Sequence, residues 1–380
     1  MDFSLSEEQT LVRDMAREFS NKELIPRATA HDREERIDDE VISQLGELGL
    51  FGLTTPEEYG GSGMGNLALT FVLEELNRGC ASTGVTVSVH NSLVCASLNK
   101  WGSEEQKQEW LPKLASGEIL GAYSLTEANA GSDAAALRAT AVLDGDEWVL
   151  NGTKMFVTTG DRAGMVIVYM RTDPDVSNAK GISAFLVPAG IPGFTVGKHE
   201  KKTGIRGSST VELIFENARI PKANLMGELN RGFHIAMDTL DGGRIGIAAQ
   251  AVGIGQACLD ASIKYAKERE QFGRPIGQFQ AIQWKLADMS TQLNASRLLL
   301  RKAAWLRDQG EDCNRAAAEA KLFASTVSNF CADECLQIHG GAGYTDDFHV
   351  ERLFRDARIT EIYEGVTDVQ RIVIARSLLR

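Results

Sequence analysis

Residues 139–170 read ATAVLDGDEWVLNGTKMFVTTGDRAGMVIVYM. Short apolar runs, Ala139–Leu143, Glu147–Leu150, Met155–Thr158 and Val166–Met170, alternate with turn dipeptides such as Asp144-Gly145 and Asn151-Gly152. Short runs rich in β-branched and aromatic residues, bounded by such turns, predict strands. None is separated from the next by enough chain for a crossover helix. They therefore predict an antiparallel sheet or small barrel rather than βαβ units. Ile182–Val187 and Val211–Phe215 continue the pattern past Pro192-Gly193, and Pro221 and Gly227 mark its exit.

Outward from this block the chain reads as helix. Upstream, Ser6 and Gln9 have capping-box spacing, and Leu11, Met15 and Phe19 follow at i, i+4 and i+8. Further helical patterns cover 38–49, 67–78, 84–99 and 104–115. Gly60-Gly61-Ser62-Gly63-Met64-Gly65 follows no strand and lacks GxGxxG spacing, so it reads as a flexible loop. Downstream, amphipathic segments at 241–269 and 278–309 are separated by Phe272-Gly273-Arg274-Pro275. A third covers 312–338, Gly340-Gly341-Ala342-Gly343 interrupts, and two shorter helices follow around Glu364. The expected fold is α+β, mostly α. It has an N-terminal helical domain (1–120), a middle antiparallel β-barrel-like domain (121–228) and a C-terminal four-helix-bundle domain (229–380).

A chain of 380 residues exceeds one core. A hydrophobic share of 43% and a charged share of 24% are ordinary for a globular protein. The net charge of −12 disfavours nucleic acid as a partner, while leaving room for local basic clusters that hold an anionic ligand. No apolar run approaches the roughly 20 residues of a membrane span. The N-terminal MDFSLSEEQ resembles neither a signal peptide nor a transit segment, so a cytoplasmic protein is expected. The cysteines at 80, 95, 258, 313, 331 and 335 form no CxxC and no metal-ligand spacing. Free thiols and no metal are expected.

Five motifs carry candidate chemistry. Tyr123-Ser-Leu-Thr-Glu-Ala-Asn-Ala-Gly-Ser132-Asp is a loop dense in hydroxyl and small residues, able to offer N–H groups to a polar ligand. Lys154-Met-Phe156-Val-Thr158 sets an aromatic and a hydroxyl on one strand face. Arg269-Glu-Gln-Phe272-Gly-Arg-Pro ends a long helix with a phosphate-competent fork. Gln337-Ile-His-Gly340-Gly341-Ala-Gly343-Tyr344 is a glycine-rich helix end. Each alone is equally an ordinary turn, strand or cap. Near the C-terminus, Ile359-Thr-Glu-Ile-Tyr-Glu364-Gly365-Val-Thr-Asp-Val-Gln370 places a carboxylate on a tight turn. Thr367 and Gln370 have capping-box spacing, so a helix is expected to start there.

Taken together in this order, the motifs resemble the acyl-CoA dehydrogenase family of FAD enzymes over essentially the whole chain. Gly204-Ile-Arg-Gly-Ser-Ser and Arg355-Asp-Ala-Arg-Ile-Thr-Glu-Ile-Tyr-Glu add to the likeness. The run Asp241-Gly-Gly-Arg244-Ile-Gly-Ile-Ala-Ala-Gln-Ala-Val-Gly is most similar to the short-chain (butyryl-CoA) members. The resemblance implies a β domain between two helical domains and a homotetramer built as a dimer of dimers. It implies FAD held by Tyr123, Leu125, Thr126, Ser132, Phe156, Val157 and Thr158, with Thr158 near flavin N5. It also places Val366 and Asp368 near FAD. Arg269, Phe272, Gln280, Gln337, Gly340 and Gly341 would reach the FAD of a neighbouring subunit. Ser132, Asp241, Arg244 and Gly365 would contact the acyl-CoA thioester.

On the same resemblance, Glu364 is the base that removes the Cα proton of a short-chain acyl-CoA, giving the trans-2-enoyl-CoA in fatty acid β-oxidation. The thioester oxygen is held by the Glu364 N–H and a flavin ribityl hydroxyl, hydride leaves to flavin N5, and electrons pass to an electron-transfer flavoprotein. Two departures stand out. Val366 occupies a position where the family usually has Thr, and Phe156 one where several relatives carry Trp. Relatives that place the base on the helix bearing residue 243 cannot be matched, because residue 243 is Gly. The alternatives are a branched-chain or alicyclic acyl-CoA dehydrogenase, an acyl-CoA oxidase, or a non-catalytic relative acting as a binding partner. Gln250, on the small-residue helix, is either a pocket-shortening group or simply hydrogen-bonded.

Overall fold

The structure, a computed structural model, describes residues 4–176 and 178–380. Seven helices open the chain: α1 (Glu7–Phe19), α2 (Ile25–Glu34), α3 (Asp39–Glu47), α4 (Gly65–Gly79), α5 (Ala81–Val89), α6 (Ala96–Trp101) and α7 (Glu104–Ala115). The Ser6–Gln9 capping box is present, with the Gln9 N–H donating to Ser6 Oγ at 3.1 Å. The apolar face of α1 is the expected one in part. Phe19 is buried and Met15 packs against the core, but Leu11 is 73% exposed while Val12 and Ala16 are buried. The expected 84–99 helix is split by a π-helical turn at His90–Cys95. Every residue from Ala81 to Cys95 is buried, so the stretch is enclosed on all sides, within the α-helical turns and the π turn alike.

The middle of the chain forms β1 (Leu120–Ser124), β2 (Thr140–Asp144), β3 (Glu147–Thr158), β4 (Ala163–Arg171), β5 (Ile182–Pro188), β6 (Phe194–His199), β7 (Thr210–Pro221) and β8 (Leu225–Met226). The sheet runs β6-β7-β3-β2-β4-β5-β8, with β1 laid against β4. Its end strands β6 and β8 do not pair with each other, so the barrel expected from the sequence does not close. Nor is the sheet wholly antiparallel: β1 runs parallel to β4, and β2 meets β4 in parallel at Thr140–Arg171. β1 arrives from the helices rather than from a hairpin, which frees it from the antiparallel direction that tight turns impose.

Asn151-Gly152 is not a turn. The chain passes through it as one strand with a bulge, Gly152 at φ 135°. A Cβ there would meet Ala139 Cβ at 2.5 Å, so the glycine answers a close approach, not a reversal.

The C-terminal part contains α8 (Gly232–Glu268), α9 (Gln280–Asp308), α10 (Asn314–His339), α11 (Val350–Arg358) and α12 (Thr367–Leu378). α8 begins nine residues before the expected start, at Gly232, so Gly242 and Gly243 lie well inside it rather than at its N-terminus. Its small residues let other elements press against its backbone. A Cβ at Gly246 would strike Ser88 Oγ at 2.3 Å, and one at Gly253 the Glu74 carbonyl oxygen at 2.5 Å. α8 thus packs directly on the N-terminal helices, with Ala248, Ala249 and Ala251 sharing a core with Leu73 and Leu76 of α4. All six cysteines are buried and free. Among the described residues there is no metal-competent cluster, and no helix is long and apolar enough to cross a membrane.

Candidate active site

The turn carrying Glu364 lies between α11 and α12 and is locally strained. Glu364 has φ 52° and Gly365 φ 95°, both in the left-handed region. Gln370 stabilises this geometry. Its amide donates to the Gly365 carbonyl at 2.8 Å and to the Glu364 carbonyl at 3.3 Å. A Cβ at residue 365 would meet that amide nitrogen at 2.5 Å, so glycine is required for space as well as for φ. The expected capping box is therefore absent although α12 does begin at Thr367. Gln370 is turned back to the turn's carbonyls, Thr367 Oγ1 donates to the Glu361 carbonyl at 3.2 Å, and Val366 occupies the N-cap without a side-chain cap.

Glu364 as a whole is half-buried, but its Oε2 is shut off from solvent and has no hydrogen-bond partner. It points at Gly243 of α8, where a Cβ would stand 2.0 Å from it. Burial pushes the Glu364 carboxyl up to about 7, against the opposing pull of Lys321 and Arg244. Arg244 is buried and pairs with Asp241 at 2.5 Å, and Asn314 also donates to Asp241 at 2.9 Å. The Glu364 N–H meets no acceptor among the described residues. Tyr123, at the end of β1, rests against Tyr169 with ring centroids 5.2 Å apart. Burial holds its hydroxyl well above the ordinary value, with Tyr169 and Glu364 adding to the effect, so β1 and the Glu364 turn face one another.

Opposite, the 123–132 loop is stitched to β3. The Met155 N–H donates to the Thr126 carbonyl at 2.8 Å. The fully buried Lys154 donates to the Leu125 carbonyl at 3.2 Å and pairs with Glu127 at 2.8 Å. Glu127 also accepts from the N–H groups of Arg138 and Ala139 at 2.7 and 3.0 Å. This pair went unnoticed in the sequence, where nothing in their spacing links Glu127 to a lysine in the middle of a strand. The bulge between Lys154 and Val157 gives Phe156 φ 57° and leaves its ring 58% exposed, beside half-buried Thr158 and buried Val157. Bulges re-aim side chains in this way. Ser132 is exposed on the loop, and the buried Ser124 hydroxyl has no partner among the described residues. An exposed aromatic, orphaned buried hydroxyls and a sealed unpartnered carboxylate across from them fit a flavin with an acyl group against it.

The remaining candidates do not join this cluster within one chain. Arg269, Phe272 and Gln280 lie exposed around the turn from α8 to α9, and Gln337, Gly340 and Gly341 are exposed at the end of α10. Stacking of Tyr265 on His339, with centroids 4.2 Å apart, brings those two stretches to the same end of the helical bundle. Tyr265 lies about 33 Å along α8 from Gly243. Phe272 is 94% exposed, and no atom lies within 4 Å of a Cβ placed on Gly340 or Gly341. Asp368 is also exposed and pairs with Arg371 at 2.8 Å. Gln250 is fully buried. It donates to the Ala81 carbonyl at 3.3 Å and accepts from the Tyr363 hydroxyl.

Comparison with known proteins bears on the whole chain. The acyl-CoA dehydrogenase N-terminal domain matches residues 6–118, the middle domain 122–218 and the C-terminal domain 230–379. The short-chain specific acyl-CoA dehydrogenase, mitochondrial, of Bos taurus is 49% identical over 376 residues, covering 99% of this chain and 91% of that protein. The butyryl-CoA dehydrogenase structure from Megasphaera elsdenii superposes with a TM-score of 0.98 at 43% identity, covering 100% of both chains. A chain from a structure of the electron transferring flavoprotein of Acidaminococcus fermentans, described in terms of flavin-based electron bifurcation, matches with a TM-score of 0.98 at 48% identity over 100% of both. The chain belongs to the acyl-CoA dehydrogenase family of FAD-dependent oxidoreductases acting on CH–CH groups.

Proposed function

We propose that this acyl-CoA dehydrogenase desaturates short-chain acyl-CoA thioesters to trans-2-enoyl-CoA, with Glu364 as the base. The observation that carries the reading is the Glu364 carboxylate, sealed, unpartnered at Oε2 and facing a helix position with no side chain. A carboxylate brought near 7 by burial is suited to take a weakly acidic Cα proton at neutral pH. The left-handed turn lets the side chain and the free N–H of one residue serve the same substrate, the N–H stabilising the charge that develops on the thioester oxygen. Arg244, held by Asp241, supplies positive charge beside the base, and Gly365 keeps the approach clear.

Tyr123, Leu125, Thr126, Ser132, Phe156, Val157, Thr158 and the Val366 backbone are the residues that would hold the flavin end of FAD, with Asp368 nearby. FAD, when bound, supplies a hydride acceptor for Cβ that no side chain offers. The exposed Arg269, Phe272, Gln280, Gln337, Gly340 and Gly341 would serve the cofactor of a second copy in a homotetramer, since they lie far from this chain's own Glu364. The short-chain preference is supported by the names of the bovine and Megasphaera relatives, and an electron-transfer flavoprotein as acceptor by the Acidaminococcus structure.

Anaerobic bleaching of the flavin is the test, with acyl-CoAs from C4 to C16 and isobutyryl-, 2-methylbutyryl- and cyclohexanoyl-CoA. The fastest bleaching is expected at C4. Glu364→Gln should keep FAD and lose reduction by butyryl-CoA. Near-normal reduction in that variant would remove Glu364 as the base.

A further inference from the structure

Helix α10 holds the segment that carries the base through three rungs spaced at i, i+4 and i+8. Lys321 Nζ donates to the Gly365 carbonyl at 2.6 Å, Ser325 Oγ to the Thr360 carbonyl at 2.8 Å, and Asn329 Nδ2 to the Ala357 carbonyl at 3.1 Å. Each rung accepts a donor from one face of the same helix. At two of them a neutral side chain is sufficient. Only the rung beside the base carries a formal charge, and its lysine is 0% exposed.

Burying a lysine cation is expensive unless a negative group answers it. No carboxylate among the described residues lies within ion-pair distance of Lys321 Nζ. The charges that reach it are those of Glu364, Arg244 and Glu361. Arg244 is already paired with Asp241, and Glu361 with Arg358. Glu364 itself is faced by Lys321 from α10 and Arg244 from α8, and the neutral hydroxyls of Tyr363 and Tyr123 lie near enough to feel its charge. A hydrogen bond to the Gly365 carbonyl does not need a cation, as Gln370 donates to the same oxygen at 2.8 Å with a neutral amide.

We propose that Lys321 is a positioning residue for the reaction, clamping the Glu364–Gly365 turn through the Gly365 carbonyl while supplying the buried positive charge that keeps Glu364 ionised. Arg244 alone would share its charge with Asp241. Lys321 has no ion-pair partner among the described residues, and its ammonium sits on the carbonyl of the residue next to the base. The inference rests on the reading of Glu364 as the base.

The experiment is the pH dependence of flavin reduction by butyryl-CoA in the holoenzyme, followed anaerobically by stopped flow, for wild type, Lys321→Met and Lys321→Gln. Lys321→Gln retains a donor for the Gly365 carbonyl and removes only the charge, and it carries the comparison if Lys321→Met fails to retain flavin. The expected result is that both variants move the base limb of the profile up by about one pH unit or more, slowing reduction roughly tenfold below that limb and far less above it. A profile with an unmoved limb overturns the proposal, whether the rate is unchanged or uniformly reduced, the latter being what a purely structural lysine would give. Glu364→Gln, measured alongside, separates the two failures. If it still reduces flavin, the base assignment falls. If it is inactive while Lys321→Gln keeps the wild-type limb, only the role of Lys321 falls.

Discussion

A Cβ on Gly243 would stand 2.0 Å from Oε2 of Glu364 and 2.7 Å from Leu93 Cδ2. The base and the bare stretch of α8 are therefore complementary, each requiring the other's form. Gly243→Ala should displace the carboxylate rather than the helix, because α8 is locked on both sides by neighbouring elements. A displacement near 1 Å at a proton-transfer site costs on the order of 100-fold in rate. FAD absorbance and the melting temperature should stay close to wild type while flavin reduction by butyryl-CoA collapses. Retained activity would mean that the carboxylate does not react from this position.

The raised Glu364 fixes the direction of the pH dependence. The base is competent only when ionised, so reduction should be slow in acid and rise as pH passes through about 7. The same group has an opposite effect on stability. A carboxyl whose folded value is above its unfolded one favours folding at low pH, and that contribution fades as pH rises from 4.5 to about 7. Activity thus increases over the window in which this contribution is lost. A reduction rate that is flat between about pH 5.5 and about pH 8.5, with chemistry rate-limiting, would contradict the environment described for Glu364.

Glu127 and Lys154 give a prediction about the cofactor loop rather than the chemistry. Lys154 is fully enclosed, its value lowered to about 8 chiefly by burial despite Glu127. Glu127→Gln strands that cation, and removing one partner of a buried pair costs about 3–5 kcal/mol. Because Lys154 is depressed in the folded state, the unfolded chain binds more protons over this range and the loss should shrink as pH rises. Urea unfolding at about pH 7 and about pH 9 should show the larger deficit at the lower pH, with weaker FAD retention in both.

The order of helices, sheet and helices was legible from period and turn residues. Glu364, Gly365 and Gly243 stood out only through the family resemblance, because a carboxylate on a turn and a glycine inside a helix are each ordinary alone, and it is the fold that brings the three together. Strand positions were legible from turn residues, yet Gly152 was misread because a glycine demanded by Ala139 looks the same in sequence as one demanded by a turn. The parallel direction of β1 escaped because its partner β4 lies some forty residues away and no local signal reports it. Lys321 and Lys154 were silent for a related reason. A lysine in an alanine-rich helix or in a strand reads as a solvated charge, and only the fold reveals that both are enclosed.

Val366 is the local departure with the clearest structural consequence. It sits at the N-cap of α12, half-buried, with φ −56° and ψ 158°, and offers no oxygen to the N–H groups of the first turn. Thr367 and Gln370 do not compensate, because they are committed to the carbonyls of Glu361, Glu364 and Gly365. Val366→Thr keeps the branched shape and adds an acceptor where a helix start has unsatisfied donors. N-cap hydroxyls contribute about 0.5–2 kcal/mol, so the variant should be stabilised by roughly 1 kcal/mol. Two effects can be separated by melting the protein with and without FAD. A gain present in the apoprotein is the cap, and any further gain in the holoprotein is a hydroxyl contact to the cofactor. A Thr variant no more stable than wild type in either form would mean that the turn, already held by Lys321 and Gln370, leaves the α12 N-terminus no benefit from a cap.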